Sequence, residues 1–180
     1  MRKAVFLDRD GVINRDRDDY VKSLADLEVF PYAADSIRRL NEAGFEVIVV
    51  SNQQAVAKGL MSQEDLLAIQ DEITRQVTSA GGRIAGFHYC THHAQDGCSC
   101  RKPEPGLILR AAKEHGIELA ASVMIGDTEK DVLAGKSAGC RTVLVLTGLL
   151  TREQVANLPC KPDFVARDLS EAADYVIGQP

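Results

Sequence analysis

The sequence lacks any long apolar run. No stretch approaches the roughly 20 apolar residues that a membrane-spanning helix needs, and the apolar stretch after Arg2 and Lys3 ends in a charge after four residues, unlike a signal peptide. We therefore expect no membrane partner and a cytoplasmic location, where thiols stay reduced. The five cysteines are then more typical of metal ligands or buried thiols than of disulfides.

The chain also lacks an excess of positive charge. Its 21 basic and 26 acidic residues leave a net charge of −5, so no broad basic face is available to bind a nucleic-acid backbone. No internal repeat, low-complexity tract or long linker interrupts the 180 residues. Because this length suffices for one domain with a full core, we predict a single domain over residues 1–180.

What the sequence does contain is an alternation of strand and helix patterns. Nearly continuous apolar runs predict buried strands at 4–7, 45–50, 86–89, 122–125, 142–146 and around Phe164. Helical spacing of apolar residues predicts helices at 33–42, 62–79, 106–115, 129–138, 152–157 and 169–177. Ser62, followed three residues later by Asp65, is a helix-capping signal. This order predicts an α/β fold with a doubly wound, mostly parallel, Rossmann-like sheet.

Polar residues follow the predicted strands at their carboxyl ends, where such sheets bind ligands. They are Asp8 and Asp10 after the first strand, Ser51, Asn52 and Gln53 after the second, Asp127 and Asp131 after the fourth, and Arg101 and Lys102 between them. Each group alone has a simpler explanation, a turn for "DRDG" or acids at a helix N-terminus for "GDTEKD". Their convergence on one sheet edge favours a catalytic site.

Carboxylates beside a phosphate are typical ligands of Mg²⁺. We expect Asp8 and Asp127 to bind the metal with the main-chain carbonyl of Asp10, while Asp131 either binds through water or orients Lys102. Asp8 is ionised at neutral pH and needs no base to act as a nucleophile. Asp10, held among neighbouring acids, would donate a proton to the leaving oxygen and then activate water.

The motifs "DRDGVIN", "SNQ", "RKP" and "GDTEKD" resemble, in order and context, those of the haloacid dehalogenase-like phosphatases. The resemblance covers about residues 4–148 and is strongest to the small, cap-less branch that acts on heptose bisphosphate or histidinol phosphate. It implies Asp8 as nucleophile and Asp10 as general acid and base. It also implies Mg²⁺ bound by Asp8, Asp10 and Asp127, with Ser51, Asn52 and Lys102 on the transferred phosphate; we add Gln53 to the substrate-binding residues.

A second signal is the loop "CTHHAQDGCSC", in which Cys90, His92, Cys98 and Cys100 offer four zinc ligands within eleven residues. A fortuitous cluster or a regulatory thiol pair is the alternative, and spacing alone does not separate His92 from His93. Four protein ligands leave no position for water, so we predict structural zinc that stiffens the loop carrying Lys102.

The substrate pocket has to be built from loops, because the intervals between the motifs leave no room for a separate cap domain. We expect the loops 14–22, 53–60 and 92–101 to form it, with Lys58 and Arg101 as candidates to bind a second anionic group. The segments "NQQAVAKG", "RKPEPG" and "LTG" resemble those of the heptose branch more than those of the histidinol branch, and this resemblance implies hydrolysis of the C7 phosphate of D-glycero-D-manno-heptose 1,7-bisphosphate.

Other readings stay open at this point. The five-residue spacer in the cysteine loop is more similar to the histidinol-phosphate phosphatases, and another small phosphorylated sugar is a further alternative. Outside the phosphatases, a receiver-like phospho-acceptor domain would also use an acid cluster and a lysine, and a zinc-organised binding module would not need the acids. We expect a monomer.

Overall fold

The computed structural model describes residues 2–179. The strands are β1 (Lys3–Leu7), β2 (Phe45–Asn52), β3 (Gly86–Cys90), β4 (Val123–Gly126), β5 (Arg141–Val145) and β6 (Phe164–Ala166). The helices are α1 (Ala33–Glu42), α2 (Gln54–Ala57), α3 (Gln63–Ser79), α4 (Gly106–His115), α5 (Glu129–Ala138), α6 (Arg152–Ala156) and α7 (Leu169–Gly178). All six strands pair in parallel in one sheet, in the order β3-β2-β1-β4-β5-β6, which confirms the predicted fold class.

The sheet is buried on both faces, and this explains the continuous apolar runs of its strands. In β1, Val5 and Leu7 pack into one cluster with α1, α3 and α7, while Ala4 and Phe6 pack into the opposite cluster with α4 and α5. All four side chains are fully buried. Because successive side chains of a strand point to opposite faces of the sheet, the residues of this short apolar run alternate between the two cores.

The helix boundaries follow local signals closely. The predicted ranges of α1, α4 and α5 match the structure, and Ser62 caps α3 in a capping box with Asp65. α4 ends at Gly116, whose φ of +65° is accessible to glycine without steric cost. The sequence does not predict α2, because four residues are too few to show a helical period.

The order of the strands fixes the position of the site. Successive strands are added on one side of β1 as far as β3, and β4 then starts the other half on the opposite side of β1. The edge beyond the carboxyl ends of β1 and β4 is therefore the topological switch point, where ligands bind in doubly wound sheets. No helix within residues 2–179 has the length and apolar character needed to cross a membrane.

Candidate active site

Three carboxylates meet at the switch point. Asp8 follows β1, Asp127 follows β4 and Asp131 lies in the first turn of α5, and one oxygen from each lies within 4.8 Å of the others. Burial, together with the charge of Asp131, raises the pKa of Asp8 to about 6 although Lys102 opposes the shift. Burial and the charges of Asp131 and Asp8 raise the pKa of Asp127 to about 9.

So much negative charge in a buried site is stable only with cations beside it. The oxygen donors and the excess of acids over bases fit Mg²⁺, which takes one or two carboxylates and keeps several waters. The cluster contains Asp131, for which the sequence left open binding through water or orientation of Lys102, and it does not contain the Asp10 carboxylate. The side chain of Asp10 is held by other hydrogen bonds, so only its main-chain carbonyl, as expected, is compatible with binding the metal.

Lys102 is the cation that the chain itself supplies. Its Nζ lies 3.0 Å from Asp8 Oδ2 and 2.6 Å from Asp131 Oδ1, and it donates to the main-chain oxygen of Val50 at 2.9 Å. Burial alone would lower the pKa of Lys102, but the two carboxylates outweigh burial and raise it. The ammonium therefore stays charged, and Asp131 holds it in position beside Asp8.

Asn52 has a different contact from the one the sequence predicts. Its Nδ2 donates to the main-chain oxygen of Lys102 at 3.0 Å, and its Oδ1 accepts from the main-chain N–H of Lys102 at 3.1 Å. Both polar ends of the amide are thus occupied with the lysine backbone. The Asn52 side chain therefore contacts the Lys102 backbone, and its predicted contact with the phosphate stays a prediction.

The carboxylate of Asp10 accepts several hydrogen bonds, and the acids expected near it, Asp8 and Asp16, are close enough to feel its charge. Arg9 donates to its carboxylate from Nε at 3.0 Å and from Nη2 at 2.9 and 3.0 Å. Asn14 donates to Oδ1 at 2.9 Å, and Gln53 donates to Oδ2 at 2.8 Å. These contacts fix the direction of the carboxylate. Gln53, predicted to bind substrate, is thereby a neighbour of Asp10 and also donates to Ser51 Oγ at 3.1 Å.

Arg9 and Asn14 are residues that sequence reasoning missed. Both are fully buried, although arginine is rarely buried unless it is paired. The signal was available in part, because Arg9 stands between two acids at the end of a buried strand. What it pairs with depends on the turn at Gly11, whose φ of +79° redirects the chain.

Glycines shape the space around Asp127. A methyl group at Gly11 or Gly148 would overlap the Asp127 carboxylate. Thr147, which precedes Gly148, donates from its hydroxyl to the main-chain oxygen of Gly11 at 2.6 Å and joins the two segments. The predicted "LTG" motif therefore packs directly against the carboxylate cluster.

The cysteine loop brings its four predicted ligands together. Cys90 Sγ lies 3.5 Å from His92 Nδ1 and 3.6 Å from Cys98 Sγ, and Cys100 Sγ lies 3.3 Å from His92 Nδ1. Tetrahedral zinc with bonds of about 2.0–2.3 Å requires ligand separations of this size. The structure selects His92 over His93, whose ring is not part of the cluster.

The other two predicted substrate residues lie on the rim. Arg101 donates from Nη2 to Gln54 Oε1 at 3.2 Å, and with Lys102 and Lys130 it lines a cleft of about 500 Å³. Lys58 is exposed and donates to the Tyr20 hydroxyl at 2.7 Å, which connects the loops 14–22 and 53–60. Tyr20 has a φ of +69°, an uncommon conformation for a residue with a side chain.

Comparison with known proteins identifies the class. Residues 99–172 match the HAD-hydrolase-like family model. The chain is 37% identical over 176 residues, 98% of each chain, to the D-glycero-beta-D-manno-heptose-1,7-bisphosphate 7-phosphatase of Pseudomonas aeruginosa. It is 40% identical to the protein of the same name from Rhodopseudomonas palustris, over 77% of this chain and 80% of that one.

A solved structure agrees with the family model and with these relatives. The D,D-heptose 1,7-bisphosphate phosphatase of B. bronchiseptica, complexed with magnesium and phosphate, superposes with a TM-score of 0.89 at 36% identity and covers 97% of this chain and 98% of that one. The chain belongs to the haloacid dehalogenase-like phosphatases, in the branch that contains the heptose 1,7-bisphosphate 7-phosphatases. The predicted family resemblance is therefore confirmed.

Proposed function

We propose that the protein hydrolyses the C7 phosphate of D-glycero-D-manno-heptose 1,7-bisphosphate through a phosphorylated Asp8. The arrangement that carries this proposal is Asp8 with the Lys102 ammonium 3.0 Å from one oxygen and Asp127 beside it. Phosphoryl transfer requires a nucleophilic carboxylate, a fixed cation and a carboxylate that can bind the metal ion. The substrate itself rests on the relatives that carry this name at 34–40% identity.

Asp8, Asp127 and the main-chain carbonyl of Asp10 would hold Mg²⁺. The ion, when bound, neutralises charge on the phosphoryl oxygens and so lets an anionic nucleophile approach an anionic ester. The rest of the neutralisation comes from Lys102, and the buried Ser51 near the carboxyl end of β2 completes the site. Asp131 acts through Lys102, since its Oδ1 lies 2.6 Å from the ammonium.

Two displacements complete the reaction. An Asp8 oxygen forms a bond to phosphorus while the bond from phosphorus to the sugar C7 oxygen breaks, and Asp10 gives that oxygen a proton. Water then attacks the phosphorus of the aspartyl-phosphate and returns a proton to Asp10. Inorganic phosphate leaves and Asp8 is regenerated. The three hydrogen bonds from Arg9 hold Asp10 in a fixed direction for this proton transfer.

The remainder of the substrate would occupy the cleft beside the site. Its other cations, Arg101 and Lys130, suit the second phosphate of a bisphosphate. In this proposal the chain works as one cap-less domain, with residues 90–100 inserted as a zinc loop. Zn²⁺ bound by Cys90, His92, Cys98 and Cys100 would fix the segment from which Arg101 and Lys102 project.

Phosphate release tests the proposal. Purified protein with Mg²⁺ is given D-glycero-D-manno-heptose 1,7-bisphosphate, histidinol phosphate, monophosphorylated sugars and nucleotides, and ³¹P NMR identifies which phosphate remains. We expect the heptose bisphosphate to have the highest kcat/KM and the C1 phosphate to survive. Equal turnover of histidinol phosphate would assign the chain to that alternative. A stable phosphoprotein without turnover would instead indicate a receiver-like role.

The monomeric state and the cytoplasmic location stay predictions. Light scattering on the eluting protein tests the first, and cell fractionation tests the second.

A further inference from the structure

A second group of ligand-type side chains lies away from both sites already described. His88 is in β3, His115 is the last residue of α4, and Glu114 precedes it. One ligand atom from each lies within 4.8 Å of the others. The two imidazole rings are nearly perpendicular at 81°, and their Nε2 atoms are 3.4 Å apart. No step of the proposed reaction uses these residues.

The distance between the two nitrogens is compatible with a shared metal ion. Two ligands about 2.0–2.1 Å from a tetrahedral Zn²⁺ are separated by roughly 3.3–3.4 Å. A hydrogen bond from N–H has a typical donor–acceptor distance of about 2.7–3.2 Å, shorter than the 3.4 Å found here. A single metal ion could therefore bind the Nε2 atoms of His88 and His115 together.

Gly86 keeps the space beside these nitrogens open. A Cβ at this position would lie 2.8 Å from His115 Nε2 and 3.4 Å from His88 Nε2. Gly86 and His88 are on the same face of β3, two residues apart. The backbone of Gly86 does not have a positive φ. Its missing side chain therefore matters for the room it leaves at both ligand atoms and not for backbone conformation.

Glu114 supplies the carboxylate that commonly accompanies a metal-binding histidine. Its Oε2 lies 3.8 Å from His88 Nδ1, the ring nitrogen that does not face His115. Negative charge at Nδ1 favours the tautomer that carries its proton there, which leaves the lone pair of Nε2 free to bind a metal. The charge of Glu114 also offsets part of the charge of a divalent cation.

We propose that His88 and His115 bind a second zinc ion through their Nε2 atoms, with Glu114 beside His88 Nδ1 as the carboxylate partner and water completing the coordination. Imidazole ligands suit Zn²⁺ among the divalent cations, whereas Mg²⁺ prefers oxygen. The ion would fasten the edge strand β3 to the C-terminal end of α4. These two elements flank the segment 91–105, so the site would hold the frame from which the cysteine loop and Lys102 extend.

Zinc titration of the purified protein tests this inference. The cysteine loop is loaded first, with its content checked by elemental analysis, and excess Mg²⁺ keeps the carboxylate site occupied during calorimetry with Zn²⁺. We expect one further equivalent to bind to the wild type and none to His115→Ala. Glu114→Gln should weaken binding by about 10–100-fold. Lys113→Ala, an exposed neighbour on the same turn, should bind like the wild type.

Gly86→Ala shows whether a loss of zinc comes from the site itself or from a general effect on folding. It keeps both imidazoles and fills the space beside their Nε2 atoms. We expect it to lose the added equivalent while its melting temperature without added zinc stays near that of the wild type. Phosphate release by His115→Ala should be unchanged. The proposal is overturned if the wild type takes up no zinc beyond the loop, or if His115→Ala and Gly86→Ala bind as tightly as the wild type.

Discussion

The cysteine loop and the carboxylate centre are both suited to a metal ion, but the chain builds them in opposite ways. The loop collects Cys90, His92, Cys98 and Cys100 from one segment of eleven residues. The carboxylate centre takes Asp8 from near the start of the chain, Lys102 from its middle and Asp127 from two thirds of the way along. The loop can form wherever its segment folds, whereas the carboxylate centre exists only once the sheet has formed.

The two regions also differ in how their negative charge is neutralised. Thiolates in the loop would be neutralised by the metal they bind. The carboxylate centre instead uses a lysine, which touches Asp8 and Asp131 and stays charged because both acids raise its pKa. A change in the loop should therefore act on catalysis through position, while a change in the carboxylate centre should act on the chemistry itself.

The largest effect is expected from Asp8→Asn. The amide cannot be phosphorylated, so kcat should fall by roughly 10⁴-fold or more, as it does when other enzymes lose their nucleophile. Steady-state phosphate release measures this, and circular dichroism should show an unchanged fold. Asp174→Asn, at an exposed acid paired with Arg39, is the matched control. Substantial turnover by Asp8→Asn would remove the basis of the proposed reaction.

Arg9→Met tests whether the carboxylate centre depends on a buried side chain that hydrogen bonds to Asp10 and not to Asp8. Asp10 would lose three hydrogen bonds and its fixed direction, and kcat should fall by about 10²-fold. Phosphoenzyme trapped by acid quench should accumulate if Asp10 activates the water. Arg17→Met, at an exposed arginine paired with Asp19, should behave like the wild type. Unchanged kinetics would show that Arg9 does not position Asp10 for catalysis.

Cys100→Ser addresses the loop. We expect the protein to lose its loop zinc, to melt at a lower temperature and to have a kcat/KM about tenfold lower, because Arg101 and Lys102 follow directly. Elemental analysis, thermal unfolding and kinetics check the three outcomes. Cys160→Ser, outside the cluster, should change none of them. A zinc-free variant with full activity would mean that the loop does not position Lys102.

The smallest effect is expected from Asn52→Ala, which removes the two hydrogen bonds to the Lys102 backbone. At the lower end of the usual range, about 0.5 kcal/mol each, the two bonds together contribute about 1 kcal/mol, so kcat/KM should fall by roughly fivefold. Asn157→Ala, which removes an exposed amide contact to Glu153, is the control. A loss as large as that of Asp8→Asn would instead favour direct contact of Asn52 with the phosphate.

Local patterns in the sequence were sufficient for much of this molecule. Apolar runs and helical periods depend on neighbouring residues, so the strands and the boundaries of α1, α4 and α5 follow from them. The cysteine ligands lie within one loop, and spacing identifies them. Asp8 and Asp127 follow from the rule that parallel strands deliver ligands at one edge.

Tertiary structure alone decided which side chains touch. It places Asp131 on Lys102, Asn52 on the lysine backbone, Arg9 on Asp10, and His88 against His115. Each of these contacts depends on the direction of a side chain and on the crossing of two elements that are distant in sequence. Residue spacing along the chain carries no information about either, because both arise only when the sheet and its helices pack.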